Sequence, residues 1–170
     1  TEEWNAGVNL GAWYTGGNMN TARGNLAGFG TQTASLAVGG GGSVANTELY
    51  NGTAWAELND LTTGRRQLAG AGTSTAGLAF GGENPGGSQL TLNELWNGYV
   101  WTEVGDLNTA RGALTAVGTT SAALAFGGGN PTPVSVGNTE SWNGSAWTEV
   151  NDLNVVRSTL GGSGTQTLAL

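Results

Sequence analysis

The chain of 170 residues contains no cysteine, no histidine and no lysine. Without cysteine it has neither disulfides nor a thiolate nucleophile. Without histidine it lacks an imidazole base, a common zinc ligand and a proton shuttle. It also has no dense Asp-x-Asp-x-Asp-Gly loop of the kind that binds calcium. We therefore expect a protein that is not an enzyme and that binds no metal and no cofactor.

Positive charge and long apolar runs are scarce as well. Charged residues make up 10% of the chain, and the net charge is −7. Because no basic surface is available to neutralise phosphates, we expect no nucleic-acid partner. The apolar runs fall far short of the ~20 residues that span a bilayer, so we expect no membrane insertion. The chain begins at Thr1 without a signal-peptide pattern, as a processed protein or a piece of a longer one would.

Glycine is abundant, with 32 residues, and it recurs at regular positions. The same regularity governs tryptophan: Trp147 is preceded by Trp101 and Trp55 at intervals of 46 residues and by Trp13 a further 42 residues back. An arginine stands ten residues after each of these tryptophans (Arg23, Arg65, Arg111 and Arg157). Asn18, Asp60, Asp106 or Asp152 stands five residues after each. Such a period indicates a repeat architecture.

Each repeat is predicted to form four short strands. The first follows the arginine, as in 67–71 and 112–117, and the second ends in paired glycines, as in 36–40, 78–82 and 124–128. After a loop of variable length, the third carries Glu-x-aromatic, and Asn-Gly then predicts a tight hairpin in which both residues tolerate positive φ. The fourth begins at the spaced tryptophan. A sheet of this kind cannot bury both faces alone, so the repeats are expected to stack.

The order Gly-Gly, Glu-x-aromatic, Trp, Asp-Leu and Arg resembles the kelch repeat, in four copies over essentially the whole chain. The first copy departs from it, with Asn18 in place of aspartate, and the period is shorter than the ~50 residues usual for kelch. The resemblance implies an all-β propeller of four-stranded blades in a single domain over 1–170. The blades are expected at about 23–60, 65–106 and 111–152, with a composite blade from 157–170 plus 1–18.

The composite blade predicts that the terminal strands pair with each other and close the ring, which would remove exposed strand edges. Two other arrangements remain open. The chain can be part of a larger ring, or two chains can share an eight-bladed ring.

Phrases such as Thr-Glu-Val-Asn-Asp-Leu-Asn and Gly-Thr-Gln-Thr also resemble the kelch-like repeats of bacteriophage structural and tail-fibre proteins. That resemblance implies a virion or other extracellular location. It favours a non-catalytic binding or adhesion module that contacts a glycan or a surface protein receptor. The alternative is a structural or decoration protein whose partners are neighbouring subunits of an assembly.

Residues that recur in every repeat are expected to be structural. The tryptophans should fill the space between sheets. Glu48, Glu94 and Glu140 should pair with arginines or cap turns, and Asp60, Asp106 and Asp152 should accept backbone N–H bonds in Asx turns.

Binding residues are expected in the loops that differ between repeats, because variable loops on a rigid scaffold often carry binding. The loops between the second and third strands (41–46, 83–92 and 129–137) and those between repeats should emerge on one face. Their short neutral side chains suit a hydroxyl-rich ligand, and Arg66, which lies outside the repeat pattern, adds one positive charge. The candidate ligand-binding residues are Asn84, Ser88, Gln89, Asn130, Thr132, Ser135 and Arg66.

Overall fold

The structure is a computed structural model that describes residues 2–5, 12–132 and 134–169, with the backbone alone described at 3–5 and 12–14. The described residues form sixteen β-strands and no helix. Within them, no helical segment is long and apolar enough to cross a membrane. The all-β prediction is confirmed.

Three four-stranded antiparallel sheets follow one another along the chain, and each is ordered as its strands occur in sequence. The first sheet contains β3 (Ala27–Thr31), β4 (Ala34–Val38), β5 (Thr47–Tyr50) and β6 (Trp55–Glu57). The second contains β7 (Ala69–Thr73), β8 (Ala76–Phe80), β9 (Asn93–Trp96) and β10 (Trp101–Glu103). The third contains β11 (Thr115–Gly118), β12 (Ala123–Phe126), β13 (Thr139–Trp142) and β14 (Trp147–Val150). The predicted four strands per repeat are therefore present.

The first strand of a repeat begins later than the sequence predicts. β7 begins at Ala69 instead of Gln67, and β11 begins at Thr115 instead of Gly112. The reason lies in the backbone, because Gln67 and Ala113 have φ values of 55° and 52°, in the left-handed region. A residue in that conformation cannot continue an extended strand.

The hydrophobic core lies between successive sheets. One cluster joins Leu36 and Val38 of the first sheet to Trp96 and Trp101 of the second. Another joins Phe80 of the second sheet to Ala125, Trp142 and Trp147 of the third, and to Leu114, which directly precedes the third sheet. Stacking of neighbouring sheets therefore buries their faces, as the repeat pattern predicts.

The paired glycines attach each sheet to the next repeat. Gly81 has φ 64°, and a Cβ at this position would lie 2.7 Å from the carbonyl oxygen of Arg111. Gly82, with φ 101°, donates its N–H to that same oxygen at 2.9 Å. Gly39-Gly40 and Gly127-Gly128 make the same contacts with Arg65 and Arg157. Both the positive φ and the close approach require glycine.

The Asn-Gly hairpin differs from the predicted one. Only the glycine has positive φ, for example 91° at Gly52, and four residues separate β5 from β6. The asparagine instead acts through its side chain: Oδ1 of Asn51 accepts bonds from the N–H groups of Thr53 and Ala54, both at 2.9 Å. Asn97 and Asn143 repeat this arrangement.

The terminal strands do not form the expected composite sheet. β1 (Glu2–Asn5) pairs with β2 (Ala12–Thr15), and β15 (Gly164–Thr165) pairs with β16 (Leu168–Ala169), in two separate two-stranded sheets. Over the described ranges no sheet closes on itself, so the expected pairing of 158–170 with the N-terminal strands is wrong for them. β8 pairs with β9 from Gly77 to Phe80, whereas β16 (Leu168–Ala169) is described only as far as the counterpart of Gly77. Over the described residues each terminal strand pairs only with the other strand of its own hairpin, so one edge of β16 has no described partner.

Candidate functional site

One cavity is shared by all four repeats. It has a volume of about 320 Å³ and lies where the segments leading into the first strands converge. The residues two and three positions after each repeated arginine line it: Asn25, Leu26, Gln67, Leu68, Ala113, Leu114, Thr159 and Leu160. An adjoining cavity of about 300 Å³ shares the four leucines and extends between the first strands. We call the two together the axial cavity.

A series of backbone hydrogen bonds runs along the mouth of the axial cavity. The N–H of Gln67 donates to the carbonyl of Asn25 at 2.7 Å, that of Ala113 to Gln67 at 2.8 Å, and that of Thr159 to Ala113 at 2.8 Å. All four residues have φ between 52° and 56°. Non-glycine residues seldom adopt this conformation, so its recurrence marks a position that the packing of the repeats determines.

The variable loops lie beside this mouth. Arg66 pairs with Glu83 through two backbone bonds, of 3.0 and 2.7 Å, and Glu83 also pairs with Gln89. In the next repeat Gly112 pairs with Gly129, which pairs with Ser135. Arg66 and Gly112 directly precede the mouth residues of the cavity, so the loops at 83–92 and 129–137 are held next to it. We call these two loops and the four mouth residues the loop face.

The connections between repeats join the same region, as expected. Leu107 donates its N–H to the carbonyl of Thr91 at 3.0 Å, and Arg111 donates to Leu90 at 3.2 Å. The first and third sheets have equivalent bonds, from Leu61 to Ala45 and from Leu153 to Gly137.

The two candidate asparagines are largely occupied within their own loops. Oδ1 of Asn84 accepts the N–H groups of Gly86 and Ser88 at 3.0 and 2.9 Å. Oδ1 of Asn130 accepts the N–H of Thr132 at 3.0 Å and that of Val134 at 3.1 Å, together with the Thr132 hydroxyl at 2.8 Å. These side chains shape the loop tips, in which Ser88 and Thr132 are exposed.

The remaining candidates lie beside the mouth of the cavity. The guanidinium of Arg66 forms a part-buried ion pair with Glu83, so its charge is neutralised. Gln89 is half-buried, and its Oε1 would lie 2.3 Å from a Cβ on Gly112, so the amide packs directly against that glycine. The Ser135 hydroxyl lies 3.1 Å from that of Ser158. Arg66, Gln89 and Ser135 therefore border the cavity, while the loop tips lie further out.

Sequence reasoning missed Asn25, Gln67, Ala113 and Thr159. Their positions can nevertheless be found, since they stand two residues after the repeated arginines and precede a repeated leucine. Four different side chains occupy this position, although the arginine two residues before it and the leucine directly after it recur in every repeat. Such variation at one position of a regular repeat indicates a candidate binding residue.

Three arginine–glutamate pairs lie inside the sheets, as predicted. Arg65 and Glu94 are joined at 2.6 Å and Arg111 and Glu140 at 2.9 Å, and all four side chains are almost completely buried. Arg23 pairs with Glu48 in the same way. Burial lowers the pKa of Arg65 and that of Arg111, and the attraction of the paired glutamate opposes the shift. These charges are enclosed and cannot serve a ligand on the loop face.

The recurring aspartates also act within the sheets, but not as local Asx turns. Oδ1 of Asp106 accepts the N–H of Asn93, thirteen residues earlier, at 3.1 Å. Asp60 and Asp152 accept from Thr47 and Thr139 in the same way. Each aspartate thus ties the end of the fourth strand to the beginning of the third.

The spaced tryptophans pack against the aromatic residue of the third strand. Trp101 and Trp147 are buried, whereas Trp55 is half-buried, and the ring centroids of the pairs with Trp96, Trp142 and Tyr50 lie 5.1 to 5.3 Å apart. The predicted role between sheets is confirmed for Trp101 and Trp147, which belong to core clusters that join neighbouring sheets, whereas Trp55 belongs to neither cluster. Trp13 lies where only the backbone is described.

The described part of the chain holds no group of three or more acidic side chains arranged to bind a metal ion. No protein-family model and no curated protein matches the sequence.

Proposed function

We propose that this chain is a kelch-like propeller module that binds a partner on its loop face without catalysis. The observation that carries the proposal is the contrast between a repeated interior and a varied loop face. The interior repeats its ion pairs and paired glycines from sheet to sheet. The loop face combines two unlike loops with four different residues around one cavity. Such variation on a rigid scaffold is typical of binding surfaces.

The chemistry of the loop face favours a neutral, hydroxyl-rich ligand such as a glycan. The mouth offers the side chains of Asn25, Gln67 and Thr159, and the exposed Ser88 adds a hydroxyl. Arg66, which directly precedes the mouth residue Gln67, already has Glu83 as its counter-ion. A charged ligand would have to displace that pair, whereas a sugar hydroxyl needs only short donors and acceptors. A surface protein receptor that presents neutral hydroxyl or amide groups would suit the loop face for the same reason.

The location follows from the resemblance to bacteriophage tail-fibre and structural repeats. We infer a module displayed on a virion or another extracellular structure, where glycan recognition would serve adhesion.

The alternative is a structural or decoration protein that binds neighbouring subunits. One observation favours it: β16 has a free edge, because β15 is its only described partner. A free strand edge is a ready site for another chain.

A glycan array probed with the labelled chain tests the proposal. The test variant replaces the tip 84–88 by five Gly and Ser residues and keeps Glu83, Gln89 and Leu90, which bond to the sheets. A second variant, Gln67→Ala, changes the cavity mouth. The matched control is Tyr99→Ser, which alters an exposed side chain in the hairpin at the other end of the same sheet.

We expect the wild type and Tyr99→Ser to bind the same neutral glycans, and the loop and Gln67 variants to lose that signal while they melt at the wild-type temperature. Binding that survives both changes would place the site away from the loop face. If no glycan binds the wild type while the chain binds its own assembly, the structural alternative is correct.

A further inference from the structure

Each of the three complete sheets contains a carboxylate socket. The socket consists of the repeated arginine and the backbone N–H groups just before it, and it receives the glutamate of the third strand. Thr62 donates its N–H to Oε2 of Glu94 at 2.8 Å, while the guanidinium of Arg65 binds Oε1 at 2.6 Å. Asn108 and Arg111 hold Glu140 in the same way, and Asn20 and Arg23 hold Glu48. A carboxylate bound by both an arginine and an N–H is a strong, charge-assisted contact.

The chain has a fourth socket at Asn154 and Arg157. Its backbone is in the regular place, because the carbonyl of Arg157 accepts the N–H of Gly128 at 2.9 Å, as the carbonyl of Arg111 accepts that of Gly82. Its side chain differs from the others. The guanidinium of Arg157 is exposed, donates from Nε to the carbonyl of Val155 at 3.3 Å, and forms no ion pair with any described side chain.

The strand and the apolar side chains next to the fourth socket are also exposed to solvent. β16 lacks the neighbour that β8 and β12 have on this side. Leu168, on β16, is 77% exposed, and Val155 and Val156, beside Arg157, are 60% and 59% exposed. Apolar side chains next to an unpaired cation and a free strand edge fit an extended strand that carries a carboxylate.

We propose that the Arg157 socket binds β1 of a second copy of this chain, with Glu2 as the carboxylate that enters it. β1 has the register of a third strand: Trp4 pairs with Trp13 across its hairpin, as Trp96 pairs with Trp101. Glu2 stands two residues before Trp4, as Glu94 stands before Trp96. Glu2 is exposed, and β1 pairs only with β2 among the described strands.

Charge complementarity selects this strand. Glu48, Glu94 and Glu140 already occupy sockets of their own, whereas Glu2 and Arg157 are both exposed and without an ion pair in the part of the chain that the structure describes. Within one chain the described strands of the two hairpins do not pair, and a second copy supplies the same strand. The contact is heterologous, since a β1 surface meets a β16 surface, and two copies can exchange it reciprocally.

Charge reversal combined with mixing tests the proposal. The molar mass of the 170-residue chain is measured by sedimentation equilibrium across the micromolar range for the wild type, Arg157→Glu, Glu2→Arg and an equimolar mixture of the two variants. Glu57→Arg is the matched control, because it makes the same charge change on an exposed residue of β6. Circular dichroism melts establish that every variant is folded.

We expect the wild type and Glu57→Arg to associate, and each socket variant alone to associate at least about tenfold more weakly, because like charges then face each other. The mixture should regain association, since opposite charges face each other again where a Glu2→Arg chain meets an Arg157→Glu chain. A wild type that is monomeric throughout, or a mixture that does not associate, would overturn the proposal. The same holds if Arg157→Glu associates as strongly as the wild type.

Discussion

Burial of a guanidinium in a sheet is costly unless a carboxylate compensates it, and Arg65 and Arg111 meet this condition with Glu94 and Glu140. In both arginines Nε is buried without a hydrogen-bond partner, while the other guanidinium nitrogens also donate to backbone carbonyls, and the glutamate supplies the compensating charge. The sequence predicted these pairs, because an arginine and a glutamate that recur in every repeat belong to the scaffold. The sequence did not predict that Arg157 would be exposed, because Arg157 occupies the same repeat position as Arg65 and Arg111. It differs from them only in that no described third strand with a glutamate lies beside it.

Arg111→Ala should destabilise the chain by about 3–5 kcal/mol, because it leaves the Glu140 carboxylate buried without its counter-ion. Urea unfolding measures the difference. Arg157→Ala serves as the control, and at concentrations where the chain is monomeric it should change stability by no more than about 0.5 kcal/mol, as is usual for an exposed residue. Equal effects of the two substitutions would refute the structural role of the pair.

Trp147→Ala should cost about 3–5 kcal/mol, because the ring is buried between the second and third sheets and contacts Phe80 and Trp142. The same substitution at the half-buried Trp55 should cost less. Thermal and urea unfolding check the ranking. A larger loss at Trp55 would contradict the assignment of the core to the space between complete sheets.

At the scale of elements, the sequence predicted the number and type of strands, because Glu-x-aromatic, the spaced tryptophan and the paired glycines each mark one strand. Their limits were harder to predict. Gln67 and Ala113 look like ordinary strand residues, and only the contact with the neighbouring repeat explains their positive φ. The Asn51 hairpin was also hard to predict. The asparagine side chain holds a four-residue loop together, and the asparagine itself does not have the left-handed conformation that we expected.

Gly81→Ala should destabilise the chain by at least about 2 kcal/mol. The left-handed backbone disfavours an L-residue, and the new Cβ would meet the carbonyl oxygen of Arg111. Gly161→Ala is the control, because a Cβ there has no neighbour within 4 Å, and its effect should stay within about 0.5 kcal/mol. Urea unfolding of both variants measures the contrast. A tolerated Gly81→Ala would show that the paired glycines do not join the sheets.

At the scale of the whole molecule, four repeats contribute equivalent residues to one cavity. The sequence predicted stacked repeats and varied loops, but it did not reveal the cavity, because its mouth residues are far apart in the chain and meet only through the hydrogen bonds that join one repeat to the next. We predicted the pairing of the terminal strands from the order of strands along the repeat. That order indicates which strand of a repeat each segment corresponds to, but it does not determine which strand the segment pairs with. β1 has the register of a third strand, yet among the described strands it pairs only with β2.

Hydrogen exchange of backbone amides, measured by NMR, tests most directly that the repeats are joined in succession around one cavity. The amides of Gln67, Ala113 and Thr159 each have an acceptor in the preceding repeat. They should exchange as slowly as the amides of paired strand residues such as Leu78, whereas the exposed amide of Asn59, which has no backbone acceptor, should exchange rapidly. If Gln67, Ala113 and Thr159 exchange as fast as Asn59, the repeats are not joined at the axial cavity, and the account of the loop face is wrong.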